Sequence, residues 1–295
     1  MNGSPDRSRR SIAVLAPFLF ALLWASSYIG AKVGLRDISP YLFVAIRLTI
    51  AALAALALLR AMTPDWDAVR RRWPHLLISG ALVHSLALAT AHDALVTFTA
   101  TPVALVHAFH PTVTAMFSVL LLGERFRWWQ WLGVTLGLGG VLLGIPHTIE
   151  PGIAVLLALS LIGLSGGTLY YKQFCADVPP FEATMMQLCG GALLSIVATV
   201  LLEQPHLSWT PGLAGAMAWN TLVMSVFGMA LYNMMLERYG AGQAASGFFV
   251  VPGAAALMAW ALLAEQISPL TLVGLSAATL GVVLVWCHPR PATAR

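Results

Sequence analysis

The stretch PTVTAMFSVLLLGE, residues 111–124, returns in altered form as PGAAALMAWALLAE, residues 252–265. Both stretches begin with a proline, end with a glutamate and have no charged residue in between. The shift along the chain that aligns Pro111 with Pro252 also aligns Gly133 with Gly274 and Gly140 with Gly281. A shift shorter by a single position aligns Lys32 with Lys172 and Pro40 with Pro180. A chance alignment of two leucine-rich helices would not keep so many residues in register. The sequence therefore predicts an internal repeat of residues 1–147 and 148–295.

The composition is that of a membrane protein. Of 295 residues, 59% are hydrophobic and 9% are charged, whereas about 25% of a typical soluble chain is charged. The formal net charge is +4, but the basic residues lie singly or in short runs between apolar windows. Nucleic-acid binding needs basic residues clustered on one solvated face, so no nucleic-acid partner is expected. The expected partners are a small-molecule substrate and the lipid bilayer.

Long uncharged windows predict the number of helices. A helix needs about 20 apolar residues to cross a bilayer. Ten windows have that length, the second being interrupted only by Arg47: 11–31, 38–59, 73–92, 94–123, 128–149, 151–171, 183–202, 204–236, 239–264 and 266–289. They show no strict alternation of apolar and polar residues, so helices are favoured over a β-barrel. The first window follows RSRR like a signal peptide, but its length favours a retained span.

The basic residues also predict the orientation. With ten spans both termini lie on the same side of the membrane. Nearly all Lys and Arg residues outside the spans lie in the loops and termini of that side, and the loops of the opposite side hold only Lys32 and Arg36. Cytoplasmic loops are enriched in Lys and Arg, so both termini are expected in the cytoplasm, with the chain in the inner membrane. Five spans per repeat is an odd number, so the second repeat enters from the opposite side. The expected fold is all-α, with ten transmembrane helices as two inverted five-helix repeats around a central cavity.

Prolines and histidines in the middle of spans are the first candidate site residues. Pro111 and Pro252 are expected to kink the fourth and ninth spans, either beside the cavity or as purely structural kinks. His107 and His110 share a helical face beside the first kink, and His84 lies in the third span. Polar groups at membrane depth usually face the bundle interior or water; the alternative is that they only join helices. No further ligand is suitably spaced, so no metal site is expected.

Aromatic and neutral polar side chains complete the predicted substrate site. The repeat counterpart of His107 is Phe248, so one cavity wall is expected to be polar and the other aromatic. Stacking faces and hydrogen-bonding groups suited to a zwitterion in an apolar pocket come from Trp24, Ser27, Tyr28, Tyr171, Asn220, Tyr232 and Asn233. The run RWWQW at 127–131 is interpreted as an interfacial belt instead.

Charged residues near the span ends are candidate gates. Lys32 and Lys172 occupy matching positions at opposite faces, where they either pair with a carboxylate when one side closes or snorkel to the interface. Glu124 and Glu265, which end the two repeated stretches, are the other candidate gates. For the deeper Arg47, the alternative partners are a backbone carbonyl, a lipid headgroup and Glu124.

Small residues about four apart in the fifth and tenth spans predict close helix contacts. They are Gly133, Gly137, Gly140 and Gly144 in the fifth, and Gly274, Ala278 and Gly281 in the tenth. These seams join either the two halves of one chain or two copies of it. A homodimer through the fifth and tenth spans is therefore one expectation.

The residues WASSYIGAK at 24–32, with Pro40 and Arg47, and GERFRWWQWLGVTLGLGGVLL at 123–143 resemble the EamA-type repeat of the drug/metabolite transporter superfamily. The resemblance covers nearly the whole chain in two copies, the second with Gln187 in place of Arg47. It implies ten helices, with a cavity built mainly by spans 1, 3, 4, 6, 8 and 9 and with spans 5 and 10 outside it. It also implies a secondary transporter, and an exporter of aromatic or other bulky neutral amino acids is the leading expectation.

Two other functions are open from the sequence. Multidrug or lipophilic-cation efflux is the main alternative, although the first-helix glutamate of the small multidrug pumps has no equivalent here. GLSGG at 163–167 resembles the serine motif of intramembrane proteases, but no later span places a histidine for it, so Ser165 is interpreted as a helix-seam residue. Asp93 is interpreted as a loop residue rather than a proton relay. No phosphate loop, HExxH or CxxC motif occurs, so neither a cofactor nor enzyme activity is expected.

Overall fold

The computed structural model describes residues 5–97, 100–142, 150–263 and 269–286, which are almost entirely helical. The α-helices are α1 Pro5–Gly34, α2 Pro40–Arg60, α3 Trp66–Gly80, α4 Ala87–Thr97, α5 Ala100–His107, α6 His110–Leu122, α7 Trp128–Leu142, α8 Pro151–Phe174, α9 Pro180–Leu202, α10 Pro211–Ala218, α11 Met229–Arg238, α12 Ala241–Ala245, α13 Val251–Leu263 and α14 Pro269–Trp286. Two π-helical segments, Ala81–Leu86 and Trp219–Gly228, connect α3 to α4 and α10 to α11, and the 3-10 segment Ser246–Phe249 follows α12. Within the described residues, an isolated antiparallel bridge joins Ile38 to Leu207.

Seven helical stretches among the described residues are long and apolar enough to cross a bilayer. They are Leu15–Gly34, Pro40–Arg60, Trp66–Thr97, Pro151–Phe174, Pro180–Leu202, Pro211–Arg238 and Ala241–Leu262, and His110–Leu122 and Leu272–Trp286 are shorter apolar helices. Large apolar side chains cover the outside, among them Leu120 at 72% and Val200 at 73% exposure. Such an exterior indicates contact with lipid. The chain is therefore a multi-pass membrane protein, and the total of ten crossings stays a prediction.

Local sequence signals set where helices begin and end. α2, α8, α9, α10 and α14 each start at a proline, which lacks the N–H that a first helical turn leaves unpaired. The carboxylate of Asp65 accepts a hydrogen bond from the N–H of Ala68 at 2.9 Å, which caps α3. Gly123 ends α6 in the left-handed region, with φ of 67°, a conformation that glycine adopts without strain.

The two halves contain corresponding α-helices and π segments in the same order. α2 and α9 begin at the paired prolines Pro40 and Pro180, and the starts of α6 and α13, like those of α7 and α14, correspond in the register that pairs Pro111 with Pro252. The π segments also correspond, because this register carries 81–86 to 222–227, which lies inside the second segment. The repeat predicted from the sequence is thus visible in the backbone, although its predicted boundary at 147 and 148 lies outside the described residues.

The corresponding helices α7 and α14 pack against each other and run in opposite directions. A Cβ atom built on Gly133 would lie 2.6 Å from the carbonyl oxygen of Gly281, and one built on Gly274 would lie 2.5 Å from that of Gly140. An early residue of one helix thus faces a late residue of the other. The glycine seam therefore joins the two halves of one chain, and a homodimer through these helices stays a prediction.

α2 and α9 form a second antiparallel pair. The carboxylate of Glu203, just after α9, accepts hydrogen bonds from the N–H groups of Tyr41 and Leu42, both at 3.0 Å, at the start of α2. At the other end, Glu182 in the first turn of α9 accepts from the N–H of Asp65 at 3.4 Å, beyond the end of α2. Negative charge at a helix N-terminus is favourable, so the Glu203 contact stabilises the pair.

The interpretation of Asp93 as a loop residue is wrong. Asp93 lies inside α4, and its Oδ2 accepts a hydrogen bond from the hydroxyl of Tyr41 at 3.3 Å. Counting charges ended the third predicted span at residue 92, whereas the helix continues to Thr97. A half-buried carboxylate that accepts a hydrogen bond from a neighbouring helix can lie within a helix, so a charged residue does not by itself mark the end of a span.

Candidate functional site

The backbone breaks at two corresponding positions inside the bundle. α5 ends at His107 and α6 begins at His110, while the 3-10 segment 246–249 separates α12 from α13. Pro111 and Pro252 are each the second residue of the helix that follows the break. Because proline fits the first turn of a helix, each starts a new helix after a break instead of kinking a continuous one. Interrupted helices at matching places in two repeats are typical of binding sites in transporters.

A hydrogen bond that closes the first break has its counterpart at the second. The N–H of Phe109 donates to the carbonyl of Val106 at 3.0 Å, and the N–H of Val250 donates to that of Gly247 at 3.2 Å. The register of Pro111 and Pro252 pairs both the two donors and the two acceptors. The break is therefore a repeated feature of the fold.

A chain of hydrogen bonds runs from α1 through His107 to α8. Nε1 of Trp24 donates to the hydroxyl of Tyr28 at 3.0 Å, this hydroxyl bonds Nδ1 of His107, and Nε2 of His107 lies 2.5 Å from Oγ of Ser160. Ser160 donates its own proton to the carbonyl of Ala87 at 2.5 Å. Since that proton is used, Nε2 of His107 donates to Ser160, and Nδ1 accepts from Tyr28. This arrangement requires a neutral imidazole.

A second set of hydrogen bonds surrounds His110. Its Nδ1 lies 2.9 Å from Oγ of Ser165 and 3.0 Å from Oγ1 of Thr114, and its Nε2 lies 3.0 Å from the hydroxyl of Tyr232. Tyr232 is also 3.3 Å from Oγ1 of Thr168. All five side chains are at most 3% exposed. One imidazole therefore connects α6, α8 and α11 in the interior.

Four aromatic residues pack beside the histidines. Phe248 lies with its ring centroid 5.2 Å from Phe20 and 4.7 Å from Trp24, and Phe20 stacks on Tyr232 at 4.8 Å. Phe248 also meets the imidazole of His110 edge-on at 4.7 Å. Aromatic faces next to neutral hydrogen-bonding groups suit an amphipathic molecule.

The remaining residues of the predicted substrate site lie apart from these two sets of bonds. Nδ2 of Asn233 donates to Thr184 at 2.9 Å and to Gln187 at 2.6 Å, both on α9. Nδ2 of Asn220 donates to the carbonyl of Ala216 in its own helix at 3.0 Å. Among the described residues, three others are buried without a bond to His107 or His110: Ser27, His84 and Tyr171.

The two matching lysines make matching contacts. Nζ of Lys32 donates to the carbonyl of Leu95 at 2.7 Å, and Nζ of Lys172 donates to the carbonyl of Leu236. The two acceptors also correspond in the repeat, and they lie near the C-terminal ends of α4 and α11, where the helix dipole favours a cation. Gating by the lysines stays a prediction, as does gating by Glu265, which lies outside the described residues.

Glu124 binds backbone N–H groups rather than Arg47. Its carboxylate accepts from the N–H of Ala241 at 2.6 Å and from that of Gly242 at 3.4 Å, at the start of α12. Arg47 donates from Nε to Oγ of Ser225 at 2.8 Å. A serine hydroxyl was not among the partners considered from the sequence.

The sequence analysis missed five members of the buried site: Phe20, Thr114, Ser160, Ser165 and Thr168. Ser165 lies at the contact of α8 with α6, as expected of a seam residue, and its hydroxyl also contacts the imidazole of His110. Serine and phenylalanine are common in membrane helices, so residue type gave no signal. The repeat did give a signal, because the alignment that pairs Lys32 with Lys172 also pairs the site residue Tyr28 with Thr168, and Phe20 with Ser160.

A family match extends over both halves of the chain. The family model for EamA-like transporters matches residues 11–145 and 151–287, one copy in each half. The chain belongs to the EamA-like transporter family. The resemblance to the drug/metabolite transporter superfamily is thereby confirmed, and this family is named for transport rather than for an enzymatic reaction.

Several full-length relatives of this EamA protein are also named as transporters. The uncharacterised inner membrane transporter YedA of Escherichia coli (strain K12) is 26% identical over 288 residues, which cover 94% of this chain and 92% of YedA. The uncharacterised transporter YoaV of Bacillus subtilis (strain 168) is 22% identical over 281 residues, 90% of this chain and 91% of YoaV. A protein of Streptantibioticus cattleyicolor named "Probable terminal-alkyne amino-acid exporter" is 22% identical over 281 residues, 93% of each chain.

The fold of this EamA protein is shared with a solved structure. A crystal structure of a protein with 19% sequence identity superposes with a TM-score of 0.76, covering 93% of this chain and 96% of the other. At this identity the likeness concerns the fold alone.

The buried site of this EamA protein presents neutral hydrogen-bonding groups and aromatic rings, and the surroundings of its histidine differ from those in a serine hydrolase. Ser165 and His110 resemble a nucleophile and its base, yet the second imidazole nitrogen faces the hydroxyl of Tyr232. A catalytic dyad of this kind is normally oriented by a further group such as a carboxylate, and no carboxylate among the described residues bonds to His110. Neutral donors, neutral acceptors and aromatic rings instead suit reversible binding.

Proposed function

We propose that this EamA-family protein is a secondary transporter that exports small amphipathic metabolites, with aromatic or other bulky neutral amino acids as the expected cargo. The observation that carries the proposal is the buried pair His107 and His110, bonded to tyrosines and serines under four aromatic residues at a helix break. The name of the Streptantibioticus cattleyicolor relative supports an amino-acid cargo.

Alternating access is the proposed mechanism, with two inverted five-helix halves moving around the buried site and both termini in the cytoplasm. The antiparallel packing of the corresponding helices α7 and α14, and of α2 and α9, supports the inversion. The site takes residues from both repeats, so a rocking motion of one half against the other would open it to each side in turn. The contacts of Lys32 and Lys172 would break alternately in that motion.

Counterflow in liposomes that contain only the purified protein tests this function. The panel comprises labelled tryptophan, a nucleoside, a sugar and a lipophilic cation, and we expect tryptophan to accumulate. His107→Gln cannot bridge Tyr28 and Ser160 as the imidazole does, and buried hydrogen-bonding groups left unpaired cost about 1–3 kcal/mol each. We therefore expect a loss of about tenfold or more in transport efficiency, whereas His206→Gln, at an exposed loop histidine, should behave as wild type.

The same experiment separates the amino-acid proposal from its main rival. Aromatic rings also bind lipophilic cations, and the cluster of Phe20, Trp24, Tyr232 and Phe248 favours that second function. Accumulation of the cation alone would replace amino-acid export by cation efflux. Absence of counterflow for every member of the panel would refute both.

A further inference from the structure

Within the part of the chain that the structure describes, a buried arginine has no acidic partner. Arg47 lies in α2, within the apolar span Pro40–Arg60, and is 1% exposed. Its Nε donates to Oγ of Ser225, but Nη1 has no partner, and no carboxylate of the described residues forms an ion pair with it. A guanidinium stays charged in proteins, and a charge at membrane depth is costly unless it is paired. An ionisable residue of this kind is a candidate for binding a charged group.

Other unpaired polar atoms lie on the elements that surround Arg47. Nε2 of His92, Oδ1 of Asn220 and Oγ1 of Thr221 are buried and have no hydrogen-bond partner among the described residues. Thr221 lies about one turn before the serine that Arg47 binds. The ring of His92 lies 5.5 Å from that of Phe43, one turn before Arg47 on α2. Buried polar atoms normally have a hydrogen-bond partner, so these groups are available to bind one.

The other half of the molecule holds the corresponding cluster in a closed form. The two registers of the repeat relate the clusters residue by residue: Arg47 to Gln187, Asn220 to Ser79 and His92 to Asn233. Nε2 of Gln187 donates to Oγ of Ser79 at 2.9 Å, and Nδ2 of Asn233 donates to Oε1 of Gln187 at 2.6 Å. Gln187 thus forms hydrogen bonds with both of the other side chains, whereas Arg47, Asn220 and His92 each keep an atom without a hydrogen-bond partner among the described residues. By the repeat, Asn220 and His92 are expected on the two sides of Arg47.

The open atoms include both donors and acceptors. Nη1 of Arg47 is a donor, and the hydroxyl of Thr221 can donate as well. Oδ1 of Asn220 is an acceptor, because its Nδ2 already donates to a carbonyl of its own helix. Nε2 of His92 is an acceptor in the neutral ring, because Nδ1 carries the proton that is shared with a backbone carbonyl at 2.6 Å. A cationic donor between two neutral acceptors complements a carboxylate joined to an ammonium group.

We propose that Arg47 binds the carboxylate of an amino-acid cargo, and that Asn220 and His92 accept hydrogen bonds from its ammonium group. This inference rests on the proposed amino-acid transport and assigns its main-chain subsite. The ring of His92 packs on Phe43, one turn before Arg47 on α2, and in this proposal the cargo's side chain extends from the subsite toward the buried histidines and the aromatic rings. Nε2 of His84 is also buried without a hydrogen-bond partner among the described residues.

Three related probes test the subsite in proteoliposomes by competition with labelled tryptophan counterflow: tryptophan, tryptamine, which lacks the carboxylate, and indole-3-propionate, which lacks the ammonium group. For the wild type we expect tryptophan to compete best and tryptamine least. Arg47→Gln should weaken tryptophan at least about tenfold, since a charge-assisted hydrogen bond is lost, and should remove the preference over tryptamine. Arg60→Gln, at the exposed end of the same helix, is the matched control and should leave affinity unchanged.

The double variant Arg47→Gln/His92→Asn keeps the test valid if the single change impairs folding. It copies the Gln187 and Asn233 pair of the other half, so we expect it to bond internally, to be monodisperse and to unfold no lower than the wild type. Its thermal stabilisation by tryptophan should be lost, a readout that does not depend on transport. A folded double variant that tryptophan still stabilises as it does the wild type would refute the subsite alone. If the wild-type protein does not transport tryptophan, whether or not it transports tryptamine, amino-acid transport is refuted and the subsite with it.

Discussion

At the scale of single residues, His110 has two hydroxyl partners for one nitrogen. Nδ1 lies 2.9 Å from Ser165 and 3.0 Å from Thr114, so either hydroxyl alone can satisfy it. We expect Ser165→Ala and Thr114→Val each to lower the free energy of unfolding in detergent by less than about 1 kcal/mol, and the double variant by about 1–3 kcal/mol, because the buried nitrogen then has no partner. A double-mutant cycle measures the coupling. Strictly additive losses would mean that the two hydroxyls do not substitute for each other.

The sequence predicts the histidines of the site but not their partners. A histidine such as His107 is conspicuous in an apolar window, because polar groups at membrane depth are rare. A hydroxyl is not conspicuous, since it often bonds its own helix, as Thr90 does with the carbonyl of Leu86 at 2.6 Å. Ser160 and Ser165 look the same as such residues in the sequence. Only the folded chain shows that their hydroxyls reach an imidazole.

At the scale of elements, two glycines of α7 have different surroundings. A Cβ atom on Gly133 would lie 2.6 Å from a backbone oxygen of α14, whereas one on Gly139 would have nothing within 4 Å. We expect Gly133→Ala to destabilise the protein by about 1–3 kcal/mol through overpacking. Gly139→Ala, the matched control, should leave stability unchanged or raise it by up to about 1 kcal/mol through helix propensity. Thermal unfolding in detergent measures both, and equal effects would contradict the tight packing of α7 on α14.

Helix interruptions are only partly predictable. Pro111 and Pro252 pointed to the correct region, but in each half the break precedes the proline, at residues 108–109 and 246–250. The π segments at 81–86 and 219–228 contain no proline. Their sequences satisfy the same apolar pattern as an ordinary α-helix, so the pattern alone does not predict the wider turn.

At the scale of the whole molecule, repeated sequence predicts repeated structure better than it predicts contacts. The register of Pro111 and Pro252 implies that α6 and α13 correspond, and each of these helices begins one residue before its proline. That α7 packs against its own counterpart, α14, does not follow from the register, because the glycines fit a contact within one chain or between two. The side of the membrane on which each loop lies cannot be read from the repeat either, because it depends on how many times the chain crosses the bilayer.

The loop 61–65 after α2 and its counterpart 203–210 after α9 can decide whether the two repeats are inverted. Inversion places these loops on opposite sides of the membrane, whereas parallel repeats place them on the same side. Cysteine introduced at Met62, 57% exposed, or at Leu207, 39% exposed, reports the side through reaction with a membrane-impermeant maleimide. Because the basic residues place the first loop in the cytoplasm, we expect intact cells to label Leu207→Cys alone and permeabilised cells to label both.

The unsubstituted chain is the control for the native thiols in this labelling. Burial raises the pKa of the Cys175 thiol to about 12, and the thiolate is the reactive form, so this cysteine should contribute little background at neutral pH. Labelling of Met62→Cys alone in intact cells would keep the inversion but place both termini outside. Labelling of both variants, or of neither, would place corresponding loops on one side. In that case the antiparallel contacts of α2 with α9 could not arise from oppositely inserted repeats, and alternating access between inverted halves would have to be abandoned.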